Sequence, residues 1–261
     1  MRITALFVLL SGAISLVSVN QEIEIGRSAQ KEVRRQVVEL RDATVVGYVR
    51  DVGRRLTARA PGPRYPYSFD VANYREINAF ALPGGPVWIH RGAVDAARTE
   101  AQMAGVLAHE VAHIAQRHAA DQLTKALVAN GLLGLLGAVL GNEGGARTAQ
   151  IGASLFARGL FLKFGRDDER EADLTGARIM HRAGWDPDGM VEFFQIMRER
   201  AKRDPGALEV FLSTHPSPES RAIELRRVTA GLKGGRRDSD RFQQIQKRLG
   251  QLPPAQSMPR R

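Results

Sequence analysis

The sequence predicts a mostly helical α+β domain with one small β-sheet or hairpin beside a central helix. Three observations carry this. Apolar residues recur at helical spacing over much of the chain, and the stretch from Asn78 to Ile89 alternates around a Pro83-Gly84-Gly85-Pro86 break. The third is His109-Glu110-Val111-Ala112-His113, set at the end of the apolar run Ala104 to Ala108, which reads as a buried helix. With 261 residues, 43% of them hydrophobic, the chain supports one good core with tails. Cysteine is absent, which excludes a disulfide frame, a thiolate metal site and a cysteine nucleophile.

Taken in order, residues 1–19 open on Met1-Arg2 and continue apolar to Val19, the layout of a signal peptide or an N-terminal membrane anchor. Ser15 and Ser18 are the small residues after which cleavage would fall. Either form places the rest of the chain outside the cytoplasm, in a periplasm or its equivalent. Ile23 to Thr57 has helical periodicity, closed ahead of Pro61-Gly62-Pro63. Asn78 to Ile89 reads as a hairpin or two short strands. Such a strand beside the central helix could receive an extended peptide, so Asn78, Ala79, Phe80 and Ala81 are the candidate substrate-binding residues.

Thr99-Glu100-Ala101-Gln102 reads as a capping box that starts the central helix. Residues 124–164 form an apolar, Gly-rich lid or hairpin, with a membrane-inserting hairpin as the alternative. Arg166 opens a further helix that stops at Gly184, and Asp186-Pro187 opens another whose Met190, Phe193, Phe194 and Met197 read as core. Residues 20–230 thus make up the folded domain. Residues 231–261 read as a basic polar tail, with a short helix from Phe242 to Leu249.

On a helix, residues four apart share a face, so His109 and His113 can reach one Zn²⁺ while Glu110 lies beside the water it activates. A catalytic zinc takes three protein ligands and lowers the pKa of its water to about 7. A carboxylate then takes the proton, which makes Glu110 the candidate base and the chain a candidate zinc hydrolase. His118 follows five residues after His113 and points about 140° away if the helix continues, so it reads as a structural or helix-end histidine. Downstream, Glu169 and Asp173 are four apart on one helix face. Glu169 can serve as the third ligand and Asp173 as the acceptor for the free N–H of a ligating histidine.

Four segments occur together: His109 to His118, the Arg166-x-x-Glu169-x-x-Ala172-Asp173 stretch, Ser213 to Arg221, and Asn78 to Gly85. In this combination the chain resembles the HtpX/BepA-type zinc metallopeptidases, gluzincins related to the CAAX prenyl endopeptidases. The resemblance runs over roughly residues 25 to 230 and implies a zincin-like domain with one Zn²⁺ per chain. It implies His109, His113 and Glu169 as ligands, Glu110 as base and Asp173 as the group behind a ligand. It also places His215 near the metal, either stabilising the oxyanion or occupying the water's position at rest, with a turn histidine that caps the next helix as the alternative. Arg221 is expected to hold His215 in place.

The expected activity is endoproteolysis of polypeptides, and the resemblance points to misfolded or unassembled envelope proteins. The alternatives are a narrow-specificity processing protease and a latent zinc protein acting as a chaperone-like binding module. The net charge of +10 is spread over arginine pairs with no nucleic-acid motif or aromatic interleaving. It reads as a solvated surface or a peripheral contact with anionic lipid, with no nucleic acid as partner.

Overall fold

The computed structural model of the chain describes residues 15–129, 164–215 and 218–258. Most of the segment expected as a lid or hairpin, and the first fourteen residues of the expected signal or anchor, lie outside the described residues. Two helices come first, α1 (Val19–Gln36) and α2 (Ala43–Thr57). Ser18 caps α1 through a capping box with Gln21, and Asp42 caps α2 through its contact with the Val45 amide. Among the described residues, no helix is long and apolar enough to cross a membrane.

The sheet contains β1 (Ser68–Ala72), β2 (Ala79–Ala81) and β3 (Pro86–His90) in the order β1-β3-β2. The hairpin expected from the alternation is β2-β3, antiparallel, with Ala79 opposite Ile89 and Ala81 opposite Val87. β1 pairs in parallel with β3, Phe69 opposite Val87. Phe80 stacks on Trp88 along the hairpin, with ring centroids 6.3 Å apart. This leaves β2 as an edge strand.

A short helix α3 (Arg91–Ala96) leads to α4 (Glu100–Ala115), which carries the HExxH residues and is buried along nearly its whole length. The expected N-terminus of α4 is in place, but its capping differs. Thr99 makes no side-chain cap bond, and Gln102 Oε1 instead accepts from the Arg98 amide at 2.7 Å. The Glu100 amide donates to Asp238 Oδ1 at 3.0 Å and the Ala101 amide to the Arg237 carbonyl at 2.8 Å. A distant loop satisfies the orphan donors that a local box would have met.

Helix α5 (His118–Ala129) follows a sharp turn, and α6 (Arg166–Arg182) and α7 (Asp188–Arg203) then pack on α4. Close approach rests on two glycines. A Cβ on Gly105 of α4 would stand 2.9 Å from Met190 Cα, and one on Gly176 of α6 would stand 3.2 Å from the Ala108 carbonyl carbon. Any larger residue would push apart the helices that hold the site. A 3₁₀ turn (Pro205–Leu208) precedes α8 (Glu209–Thr214) and α9 (Pro218–Thr229), which complete this wall.

Residues 231–258, expected as a tail, include α10 (Asp240–Gln251), capped by Ser239. Its Phe242, Ile245 and Leu249 share one face and are buried, contributing about 1.5–3 kcal/mol each. Arg91 fastens the end of this segment, donating to the Leu249 carbonyl at 2.8 Å and the Pro253 carbonyl at 2.6 Å.

His90, at the end of β3, is 1% exposed and packs against the Tyr74 and Phe80 rings. Burial lowers its imidazole from 6.5 to about 4, although Nδ1 lies 3.1 Å from the Glu76 carbonyl. Between those two pH values the unfolded chain binds a proton at this site that the folded chain does not, so stability falls as pH drops from 6.5 toward 4. The loss from this site approaches about 3 kcal/mol. Urea unfolding across that window should show a steeper acid decline for the native chain than for His90→Asn. Parallel profiles would contradict it.

Candidate metal centre

α4, α6 and the end of α8 bring four donors together. His109, His113, Glu169 and His215 are all buried, and one ligand atom from each lies within 4.8 Å of the others. His109 Nε2 is 3.0 Å from His113 Nε2, and Glu169 lies 3.6 Å from the first and 3.5 Å from the second. Donors held tetrahedrally at 2.0–2.1 Å from zinc stand about 3.3 Å apart, so these separations fit a single cation. Glu169 sits in the first turn of α6 with Asp167 and Asp168, where the helix dipole favours carboxylates.

Behind the donors, Asp173 Oδ1 is 3.0 Å from His109 Nδ1. Arg221, from α9, forks onto Asp173 at 2.8 and 2.7 Å and also reaches Glu169. Its expected link to His215 runs through Glu169, whose Oε1 lies 2.6 Å from His215 Nδ1. His215 is carried in at the end of α8 with its ring stacked on Phe211, centroids 4.8 Å apart. Its other nitrogen is 3.7 Å from Glu110 Oε1. Among the described residues, Glu110 Oε2 is buried with no hydrogen-bond partner, an arrangement that suits a group that takes up a proton rather than a structural contact.

The protein groups alone already polarise the cluster. Burial opposes charge on Glu169, but His215, His109 and His113 overcome it and hold the carboxyl far below its usual range. Burial likewise opposes charge on Asp173, and Arg221 and then His109 reverse that. For His109 burial is outweighed by Asp173 and Glu169, which raise the imidazole to about 9. Burial dominates at the remaining two: it pushes His113 well below its ordinary value and Glu110 above its own.

His118 stays outside the donor cluster, as expected, but it does not turn away from His113. The α4 helix stops at Ala115, and Arg117 adopts a left-handed backbone with φ of 64°, so the 140° extrapolation along a continuous helix fails. The turned chain brings His118 Nδ1 to 2.9 Å from His113 Nδ1. Phe164, which the sequence reading did not single out, stacks on His113 with centroids 3.9 Å apart.

A cavity of about 380 Å³, including its open mouth, adjoins His109 and Glu110. Its apolar wall comes from Met190, Phe193, Phe194, Met197 and Phe211, so the residues expected as core also line the site. Asn78 and Ala79 also line it, and Asn78 Oδ1 is buried without a hydrogen-bond partner among the described residues. A second cavity lies beyond Ala81 and Leu82 and adjoins His113 and Phe164. The edge strand β2 thus contributes Ala79 to one cavity and Ala81 to the other.

An HExxH helix pressed against an acidic helix, with a buried cluster of cation-sized spacing and an edge strand alongside, is the layout of a metallopeptidase. The chain belongs to peptidase family M48, which matches residues 44–229. It is 31% identical over 221 residues to the beta-barrel assembly-enhancing protease of Escherichia coli (strain K12), covering 83% of this chain and 45% of that protein. It is 31% identical over 210 residues to the mitochondrial metalloendopeptidase OMA1 of Schizosaccharomyces pombe, covering 78% of this chain and 60% of that protein. The chain thus spans 45% of the length of the first relative and 60% of the second.

Proposed function

We propose that this chain is a zinc-dependent endopeptidase that cleaves polypeptides bound in extended form. The observation that carries the reading is the convergence of His109, His113 and Glu169 beside the unpartnered carboxylate oxygen of Glu110. Two imidazoles and one carboxylate are a donor set suited to catalytic zinc. When bound, the ion supplies Lewis-acid activation of water and of the scissile carbonyl. Glu110 takes the proton of the attacking water and passes it to the leaving amine, and the raised carboxyl pKa that burial gives it suits both transfers. His215, 3.7 Å from Glu110, donates to the developing oxyanion. Asp173 holds the ring of His109, and Arg221 holds Asp173.

For substrate, Asn78 to Ala81 offer the main-chain groups of an edge strand, a mode that tolerates many sequences. The cavities on either side of Phe80 take flanking side chains. The clients we propose are misfolded or unassembled cell-envelope proteins, and the Escherichia coli relative's name, which ties that protease to β-barrel assembly, supports the unassembled part of this reading. The apolar start at residues 1–19 supports a periplasmic or other extracytoplasmic location, with signal peptide and membrane anchor as its two forms. The dispersed arginines support peripheral contact with anionic headgroups.

The place of His215 among the four clustered donors favours one second reading, a latent zinc protein in which His215 fills the fourth position and the chain binds clients without cutting them. One assay separates the two. Zn²⁺-loaded chain should digest casein, lose that activity to a chelator and regain it with Zn²⁺. Stoichiometric zinc with no digestion would favour the latent form.

A further inference from the structure

The two candidate ligand histidines present their outer nitrogens to different partners. His109 Nδ1 faces a carboxylate, Asp173. His113 Nδ1 faces another imidazole, His118 Nδ1, at 2.9 Å. Two ring nitrogens at that separation share a single proton, so one must donate and the other accept. His113 directs Nε2 at the cluster, 3.0 Å from His109 Nε2 and 3.5 Å from Glu169, so its Nε2 lone pair belongs to the cation and its proton to Nδ1. His118 then accepts at Nδ1 and carries its own proton on Nε2, which faces Glu171 Oε2 at 3.4 Å.

We propose that His118, backed by Glu171, is a positioning residue for the metal: it fixes the tautomer and ring orientation of His113, on the side of that ring turned away from the cluster. The proposal rests on the metal reading above. The cost of placing His118 argues for a purpose beyond filling space. Arg117 holds a left-handed conformation, with φ of 64°, that is strained for a residue with a Cβ. Its guanidinium secures the turn by reaching Glu22 at 2.6 and 2.5 Å and the Val17 carbonyl. His118 is 2% exposed, and with Phe164 stacked on the plane of His113 the ligand ring is gripped on both edge and face.

The test is the Zn²⁺ dissociation constant, measured by chelator competition, in His118→Phe and His118→Asn. Phenylalanine keeps a ring but offers no acceptor, whereas the asparagine Oδ1 can stand where Nδ1 stood. His118→Phe should bind Zn²⁺ about 10–100-fold more weakly, and His118→Asn should recover most of that loss. Equal affinity of His118→Phe and wild type, or His118→Asn as weak as His118→Phe, would overturn the proposal. Histidine ¹⁵N shifts of the Zn²⁺-loaded wild-type chain test it without a variant: His113 protonated at Nδ1 and His118 at Nε2 is expected, and the opposite tautomer on either ring overturns it. A wild-type chain that binds no Zn²⁺ would defeat the metal reading itself. Tight wild-type binding with an equally tight His118→Phe defeats only this inference.

Discussion

Glu110→Gln should retain zinc at the wild-type stoichiometry and lose proteolysis by about 10²–10⁴-fold. The amide matches the carboxylate in shape but cannot accept a proton from water, so the change isolates the transfer step. It also removes a buried charge that Oε2 leaves unpaired, and burial holds Glu110 in a state where ionisation is costly. Folding should therefore be intact or slightly improved, and melting temperature serves as the control. Digestion of casein by the zinc-loaded variant at the wild-type rate would remove Glu110 from the reaction.

The largest expected loss of stability comes from Arg221→Met. The arginine is buried beneath the site, holds Asp173 in a two-pronged contact and also reaches Glu169, with its guanidinium 4.9 Å from the centre of the Phe194 ring. Methionine fills similar space, leaves the buried Asp173 without its main counter-charge and takes one cationic contact from Glu169. Breaking a buried pair in this way costs about 3–5 kcal/mol. Asp173 titrates below its ordinary range in the folded chain, so the stabilisation is present above that range and lost as pH falls through and below it. Urea unfolding of the metal-free chain at neutral pH should show the deficit, and Zn²⁺ should recover part of it, because the cation compensates Glu169. A variant as stable as wild type without metal would contradict the account of this network.

Much of the site was legible because its residues repeat at helical spacing. His109 and His113 share a face of α4, Glu169 and Asp173 share a face of α6, and the structure brings those faces together. The β2-β3 hairpin was legible from alternation around two prolines and two glycines. β1 was not singled out, although Ser68-Phe69-Asp70-Val71 alternates, because parallel pairing with β3 is set by a partner distant in sequence. His118 was misplaced because no glycine or proline announces the turn at Arg117; the conformation is secured by Glu22 and Val17, about a hundred residues away. The cap of α4 differs for a similar reason, since Arg237 and Asp238 supply from a distant part of the chain the acceptors that a box of Thr99 and Gln102 would offer locally. Patterns within one element survive folding, whereas contacts that tertiary structure imposes leave little local trace.

The central claim is that one cation joins α4 to α6. Anomalous diffraction at the zinc edge from crystals of the Zn²⁺-loaded chain tests it most directly. The account predicts a single strong peak about 2.0–2.2 Å from His109 Nε2, His113 Nε2 and a Glu169 oxygen. No peak there, or a peak bound by other residues while these three remain unligated, would contradict it.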